Sequence, residues 1–299
     1  MDLPRIGFIG LGNMGAPMMR RLLAAGCAVT AHDRRREAED AARRDGAETA
    51  TSPADVALRA DMIITMLPDG PVVEQVVYGP NGLEPALRSG QILIEMTSSH
   101  PDVTRRVAAD LAVRGVQVLD APVSGGVRGA ADGTLCIMAG GPAAVLERCR
   151  PVLAHLGRDI VHVGDSPGDG DTAKTINNLL SATAIWNSME GVLLGIKAGL
   201  APERLLEAIN RSTGRSYTTE TKFTRYILPR DFTSGFTIGQ YLKDLNICLD
   251  VADRLGAPLL LGAVVRQAWA MAAHEGLANL DHTALVTLLE RWISRAKEA

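Results

Sequence analysis

A turn that could bind a dinucleotide lies near the start of the chain. Within Arg5–Leu23 an apolar strand pattern, three glycines and a helix pattern follow one another directly. The first glycine permits a tight bend, the second lets the backbone approach a pyrophosphate, and the third lets the helix pack against its strand. The helix N-terminus favours the negative charge of that pyrophosphate. The predicted cofactor residues of this turn are Gly10, Gly12, Asn13, Met14 and Gly15.

An acidic residue beyond the turn bears on the choice of cofactor. Asp33 ends the second strand pattern, Ala28–Asp33, about twenty residues after the glycines, where a carboxylate can bind a ribose 2′-hydroxyl. Its charge would repel the 2′-phosphate of NADP, so NAD is favoured. Three arginines follow, Arg34, Arg35 and Arg36. They could accept that phosphate or simply begin a solvated helix, so NADP stays open.

A lysine and an asparagine could carry proton transfer. Lys174 and Asn178 are four residues apart and share one face of a predicted helix, with Asn177 beside them. Hydride transfer between a nicotinamide and a carbinol requires a proton to move to or from oxygen and the developing alkoxide to be held. A partly desolvated lysine can exchange that proton and arginine cannot, so Lys174 suits the first task and Asn178 the second. The alternative is that Lys174 and Asn178 only cap or solvate the first turn of the helix.

The elements that must position these residues alternate between strands and helix-length segments. This pattern predicts an α/β fold with a doubly wound parallel sheet. Ligands of such sheets lie outside the carboxyl ends of the strands, which places Leu67, Pro68 and Thr97 around the cofactor crevice. After the first strand, the predicted strands are Ala28–Asp33, Met62–Pro68, Gln91–Met96 and Val116–Asp120, and Arg35–Arg44 is a predicted helix.

The loop Asp120–Gly126 follows the last of these strands. Its successive glycines leave backbone N–H groups free to surround an anion, and a serine adds a hydroxyl. A plain turn is the alternative interpretation. The loop predicts an oxyanion or carboxylate site built from Ser124, Gly125 and Gly126.

Glycine, proline and aspartate crowd between Gly164 and Gly170, where the strand pattern ends. We therefore expect a nucleotide-binding domain over residues 1–164 and an all-helical domain over residues 165–299. The helical domain begins with Asp171–Ala198, which is apolar on most faces and is expected to be buried on several sides. Further helices are predicted at Leu245–Leu255, Leu260–Ala273 and Thr283–Ala296.

Composition bounds the class of protein. The chain has 299 residues, of which 46% are hydrophobic and 22% charged, as in a soluble globular protein. A net charge of −3 gives no reason to expect nucleic acid or an anionic membrane as a partner. Met1–Pro4 runs directly into the first strand, and no apolar stretch is long enough to span a bilayer. A cytoplasmic enzyme without a signal peptide is expected.

Cysteines and histidines are scattered without the spacing of a metal site. The cysteines are expected to be small buried hydrophobic residues, and no metal is expected. These residues are Cys27, Cys136, Cys149, Cys248, His32, His100, His155, His162, His274 and His282.

Four motifs of the chain, taken together, resemble those of a known family. They are Gly7–Met18, Asp120–Gly126, Gly168–Asn178 and Lys243–Leu245. The family is that of the β-hydroxyacid dehydrogenases, which includes 3-hydroxyisobutyrate dehydrogenase and tartronate semialdehyde reductase, and the resemblance covers essentially the whole chain. It implies a hydride transfer between NAD or NADP and a small 3-hydroxyacid or its semialdehyde. It also implies an all-α C-terminal domain like that of 6-phosphogluconate dehydrogenase, and a homodimer or homotetramer built through that domain.

The resemblance also implies roles for single residues. Lys174 would be the catalytic acid and base, with Asn178 assisting. Thr97 would lie against the nicotinamide ribose, and Lys243 would close the site from the helical domain. Leu67 and Pro68 would flank the cofactor. The substrate carboxylate would be bound by Ser124, Gly125 and Gly126, with Asn177 as a further substrate-binding residue.

Two departures from the family pattern leave questions open. Asp169 replaces a residue that is usually small, which bears on the surroundings of the lysine. Arg215 lies in Ser212–Tyr217, a segment that resembles 3-hydroxyisobutyrate dehydrogenases more than tartronate semialdehyde reductases. It could bind a second anionic group of the substrate or be an ordinary surface arginine.

Other functions fit less well. Reduction of glyoxylate, tartronate semialdehyde or succinic semialdehyde is an alternative within the family. Imine reductases usually place another acid at the position of Lys174, and 6-phosphogluconate dehydrogenase needs a longer helical domain. A non-catalytic nucleotide-binding scaffold ranks last, because the chain retains Lys174.

Overall fold

The computed structural model describes residues 3–295, with side chains up to residue 293. The chain forms two compact units, Met1–Lys174 and Thr175–Ala299. The predicted domain boundary after residue 164 stays a prediction. The start of Met1–Pro4 and the end of the predicted helix Thr283–Ala296 lie outside the described residues.

The first unit contains a nine-stranded sheet in the order β3-β2-β1-β4-β5-β6-β8-β7, with β9 beside β8. The pairs among β1 to β6 are parallel, which confirms the predicted α/β fold. The strands are β1 (Ile6–Ile9), β2 (Val29–His32), β3 (Glu48–Thr49), β4 (Met62–Thr65), β5 (Ile92–Glu95), β6 (Gln117–Asp120), β7 (Val123–Ser124), β8 (Leu135–Gly140) and β9 (Gly157–Gly164).

Helices cover both faces of the sheet. Phe8, Ile64 and Ile94 pack into the hydrophobic core on one face. Ile63 and Leu93 pack into the core on the other face. This explains why the central strands are continuous apolar runs. The helices are α1 (Gly15–Ala24), α2 (Arg36–Arg44), α3 (Pro53–Arg59), α4 (Gly70–Tyr78), α5 (Pro101–Ala112), α6 (Gly126–Asp132) and α7 (Ala143–Leu153), with a 3₁₀ turn at Glu84–Ala86.

The far end of the sheet differs from the prediction. Strand β8 runs antiparallel to β6 and to β7, so the sheet is mixed rather than wholly parallel. Strands β3, β7, β8 and β9 were not predicted. The predicted strand Met62–Pro68 was too long, because the strand ends at Thr65 and the N–H of Leu67 donates to the Thr97 hydroxyl.

The second unit is helical, as predicted. Its core includes Phe223, Leu245 and Trp269. Helix α10 begins seven residues before the predicted start at Leu245, because Thr237 and Gln240 form a capping box. The helices are α8 (Asp169–Lys197), which begins in the first unit, α9 (Pro202–Asn210), α10 (Ile238–Arg254), α11 (Leu260–Ala272) and α12 (Val286–Arg295), with π-helical segments Thr218–Ile227 and Ala273–Leu277 and a 3₁₀ turn at His282–Leu285.

Helix α8 corrects two expectations. Ile185 and Met189 belong to the core of the helical unit, but Leu180 and Leu194 are 65% and 68% exposed, so within the single chain the helix is not buried on several sides. By length and composition α8 could also cross a membrane, although no such stretch was expected. The core helices of soluble proteins also pass this test of length and composition. In α8, 33% of the most apolar window is buried within the chain.

Candidate active site

The glycine turn has the geometry that a dinucleotide requires. Gly10 has a φ of +97°, and a side chain there would collide with the carbonyl oxygen of Met66. A side chain on Gly15 would collide with the carbonyl oxygen of Gly10. At Gly12 an added Cβ would meet nothing within 4 Å, so the backbone faces open space that a pyrophosphate could fill. The residues present therefore fit the predicted cofactor.

Asp33 is held against this turn. One of its oxygens, Oδ2, accepts a hydrogen bond from Leu11 N at 2.8 Å, and Oδ1 accepts from Arg35 N at 2.9 Å and Nε at 3.0 Å. Burial opposes ionisation of this carboxyl, but the hydrogen bonds from Arg35 and Leu11 lower its pKa overall. Asp33 is therefore a carboxylate at neutral pH. Arg34 and Arg36 are exposed.

The loops after β4 and β5 are linked to each other. Thr97 Oγ1 accepts from Leu67 N at 3.0 Å, and Thr97 N donates to Glu95 Oε1 at 2.8 Å. Thr97 is fully buried, Leu67 is half-buried and Pro68 is exposed. Burial raises the pKa of Glu95 to about 8 against the opposing hydrogen bonds from Thr97. At neutral pH this carboxyl is mostly protonated.

The predicted carboxylate site lies where β7 leads into α6. Gly125 and Gly126 have φ values of +134° and +64°, so both glycines are required by the backbone. Consecutive N–H groups at such a bend can face one anion. Ser124, at the end of β7, pairs with Cys136 in β8. Ser124 and Gly126 are half-buried, and Gly125 is exposed.

Lys174 lies near this strand pair. The lysine is 9% exposed and is the sixth residue of α8, in the second helical turn. Gly170, one helical turn before Lys174, approaches strand β8 closely, because a Cβ on Gly170 would collide with the carbonyl oxygen of Met138. Strand β8 is the strand that pairs with β7 at Ser124. The structure therefore brings Lys174 and the Ser124 loop into one neighbourhood of the first unit.

Glycine allows α8 to begin directly on the end of β6. Asp171 N donates to Asp120 Oδ2 at 2.9 Å. A Cβ on Gly170 would lie 2.8 Å from the same Oδ2 and would collide with the carbonyl oxygen of Met138. This close approach explains why the chain has glycine one position before Asp171.

The other predicted residues belong to the helical unit. Asn178 Nδ2 donates to Asp244 Oδ2 at 2.5 Å, and Asn177 Nδ2 donates to Asn178 Oδ1 at 3.1 Å. Lys243 Nζ lies 3.1 Å from Asp244 Oδ1. Asp244 thus connects Asn178 with Lys243, and Asn177 joins them through Asn178. No role was predicted for Asp244, although it follows Lys243 in one of the quoted motifs.

Sequence reasoning also missed a group of buried carboxyls in the first unit. Glu95 and Asp120 are register partners at the ends of β5 and β6, and Asp171 lies in the first turn of α8, where its N–H binds Asp120. Burial raises the pKa of Asp120 to about 6 and raises that of Asp171 well above its usual value. The sequence did contain a signal for this group, because Glu95 and Asp120 are acidic residues that each end an apolar strand.

The remaining predicted side chains have simpler surroundings. Cys27, Cys149 and Cys248 are buried as expected, but Cys136 is only half-buried. Arg215 Nε lies 3.6 Å from Glu220 Oε1, and both side chains are largely exposed. Within residues 3–293, no group of three or more histidine, cysteine, aspartate or glutamate side chains could hold a metal ion.

Comparison with known proteins places the chain in a family. The profile described as the NAD binding domain of 6-phosphogluconate dehydrogenase matches residues 5–164. The profile described as the NAD-binding domain of NADP-dependent 3-hydroxyisobutyrate dehydrogenase matches residues 168–289.

Individual relatives match over nearly their full length. The chain is 39% identical over 287 residues to 2-(hydroxymethyl)glutarate dehydrogenase of Eubacterium barkeri, covering 96% of this chain and 95% of that protein. It is 38% identical over 286 residues to 2-hydroxy-3-oxopropionate reductase of Escherichia coli K12, covering 96% and 97%. The structure of Mycobacterium tuberculosis 3-hydroxyisobutyrate dehydrogenase with L-serine aligns with a TM-score of 0.89 at 34% identity, covering 96% of this chain and 99% of that one. The chain therefore belongs to the β-hydroxyacid dehydrogenase family and is an NAD(P)-dependent oxidoreductase that acts on CH–OH groups.

Proposed function

We propose that the protein oxidises a small 3-hydroxyacid to its semialdehyde, or carries out the reverse reduction, with Lys174 as the general acid and base. The observation that carries this proposal is the burial of Lys174 near the start of α8, which packs against β8, the strand that pairs with Ser124, in the unit that also contains the glycine turn. A buried amine beside a predicted carboxylate site is suited to exchange a proton with a hydroxyl on the same small substrate.

Each residue then has one task. When bound, the nicotinamide supplies the hydride acceptor or donor. In oxidation Lys174 takes the proton of the substrate hydroxyl while the hydride leaves the carbon that bears this hydroxyl. In reduction Lys174 returns the proton to the oxygen. Ser124 and the N–H groups of Gly125 and Gly126 bind the carboxylate. Asn178, oriented by Asp244, assists at the reacting oxygen, and Asn177 contributes to substrate binding.

The proposed cofactor residues act mainly through the backbone. Gly10, Gly12 and Gly15 shape the pyrophosphate turn, with Asn13 and Met14 between the last two. Leu67 and Pro68 flank the cofactor, Thr97 lies against the nicotinamide ribose, and Lys243 is a further proposed cofactor residue. NAD is proposed over NADP because Asp33 is ionised and its neighbour Arg35 already binds that carboxylate.

A substrate panel tests this proposal. We expect NAD-linked turnover with 3-hydroxyisobutyrate, glycerate, L-serine, threonate, 4-hydroxybutyrate or 2-(hydroxymethyl)glutarate, with kcat/KM highest for one 3-hydroxyacid and at least about tenfold lower with NADP. 2-(Hydroxymethyl)glutarate is included because a 39% identical relative carries its name. The same panel with amide analogues is the control, since the proposed anion site should reject an uncharged group. Equal turnover of acids and amides would contradict the role of Ser124–Gly126.

We also propose that the protein is a cytoplasmic homodimer or homotetramer formed through its helical unit. Leu180, Leu194, Leu260 and Val264 support this, because each is at least 65% exposed within the single chain. Sedimentation velocity should give the mass of two or four chains. Leu180→Glu combined with Leu194→Glu should lower that mass, while Leu58→Glu, on α3 of the nucleotide-binding unit, should not. A monomeric wild type would contradict the proposal.

A further inference from the structure

Asp171 joins three parts of the nucleotide-binding unit. Its Oδ2 accepts from Thr104 Oγ1 at 2.6 Å, and its Oδ1 accepts from Ser99 N at 3.2 Å. Its own N–H donates to Asp120 Oδ2 at 2.9 Å. The side chain is 1% exposed, so all three contacts are shielded from water.

Each of these partners leads to a part of the proposed site. Ser99 follows Thr97 in the loop after β5, and Thr104 lies in α5, which continues from that loop. Asp120 ends β6, and the chain then runs directly to Ser124. Asp171 itself lies three residues before Lys174, less than one helical turn away. The carboxyl of Asp171 therefore fixes the start of α8 to the loop after β5, and its backbone N–H joins the same turn to the end of β6.

Packing alone does not account for an acid at this position. Asp171 shares its surroundings with the carboxyls of Asp120 and Glu95, and its burial beside these acidic groups raises its pKa and makes its ionisation costly. The three carboxyls are adjacent, because Asp171 N binds Asp120 Oδ2 and Asp120 is the register partner of Glu95. An apolar residue would avoid this cost, but it could not bind Ser99 and Thr104.

We propose that Asp171 is a positioning residue whose side chain holds Lys174 in line with the loop after β5. This inference rests on the proposed role of Lys174 as general acid and base. Two hydrogen bonds do the positioning, so an uncharged side chain of the same shape should also serve. Displacement of the helix start by a fraction of an ångström would misplace the amine while leaving the glycine turn intact.

Three variants test the role of the hydrogen bonds. Asp171→Ala should lower kcat about 10- to 100-fold, with the KM for NAD within about twofold of wild type. Asp171→Asn should retain kcat within about threefold, because its Oδ1 can accept from Ser99 and its amide can donate to the Thr104 hydroxyl. Thr104→Val removes one bond at constant shape and should lower kcat by about three- to tenfold. Near-UV circular dichroism and the melting temperature establish that each variant is folded.

A double-mutant cycle separates positioning from general stabilisation. In a Lys174→Ala background, Asp171→Ala and Thr104→Val should cause no further loss of the residual turnover, because the group that they position is gone. If each variant lowers turnover by the same factor in the wild-type and Lys174→Ala backgrounds, the positioning role is overturned. Unchanged kcat in folded Thr104→Val and Asp171→Ala, or an Asp171→Asn protein as slow as Asp171→Ala, would overturn it as well. Full turnover by Lys174→Ala alone would instead overturn the proposed function.

Discussion

Lys174→Ala is expected to lower kcat by about 10²- to 10⁴-fold, the range that a positioned general acid or base contributes. The loss should be largest for kcat, because the amine acts on the reacting hydroxyl rather than on the carboxylate or on the cofactor. The Kd for NAD, measured by fluorescence quenching or calorimetry, should stay within about twofold, since the glycine turn and Asp33 lie elsewhere in the unit.

Two further variants separate the proton from the charge. Lys174→Arg keeps the positive charge but cannot release a proton near neutral pH, so it should remain as slow as the alanine variant. Lys197→Ala removes an exposed lysine from the other end of α8 and should leave kcat unchanged. Turnover by Lys174→Arg at the wild-type rate would mean that charge alone is needed, and normal turnover by Lys174→Ala would end the catalytic assignment.

Local spacing made much of the nucleotide-binding unit predictable. The glycine turn and Asp33 are specified by backbone conformation and by the order of strand, turn and helix, which the sequence displays directly. Buried parallel strands such as Ile92–Glu95 are continuous apolar runs with clear ends. Strand β8, Leu135–Gly140, has the same character and was predictable in principle, whereas the two residues of β3 carry no periodic signal.

Side-chain partners across the chain were not predictable in the same way. Asp171 binds Asp120 and Thr104, 51 and 67 residues away, and Asn178 binds Asp244, 66 residues away. Spacing in one sequence does not encode such contacts, because they depend on which strand ends lie side by side. The burial of α8 was overestimated for a related reason, since an apolar composition does not reveal whether each face has a partner within the same chain.

Glu95 should make the stability of the protein fall as the pH rises through neutrality. Below about pH 4.5 this carboxyl is protonated in both the folded and unfolded chains. Between that pH and about 8 the unfolded chain has lost the proton while the folded chain retains it, so rising pH favours unfolding. Near pH 8 the folded carboxyl ionises too, and this contribution levels off. Asp120, with its pKa raised to about 6, adds an effect of the same sign at lower pH.

Glu95→Gln isolates this contribution, because the amide oxygen still accepts from Thr97 N and the side chain does not ionise in this pH range. In urea unfolding at pH 5, 6, 7 and 8, the free energy of unfolding of the variant relative to wild type should rise by on the order of 1 kcal/mol per pH unit, up to about pH 8. Glu37→Gln, at an exposed position in α2, should give a constant difference. A constant difference for Glu95→Gln as well would mean that Glu95 is ionised in the folded protein. The carboxyls of Asp120 and Asp171 would then face a permanent negative charge on Glu95.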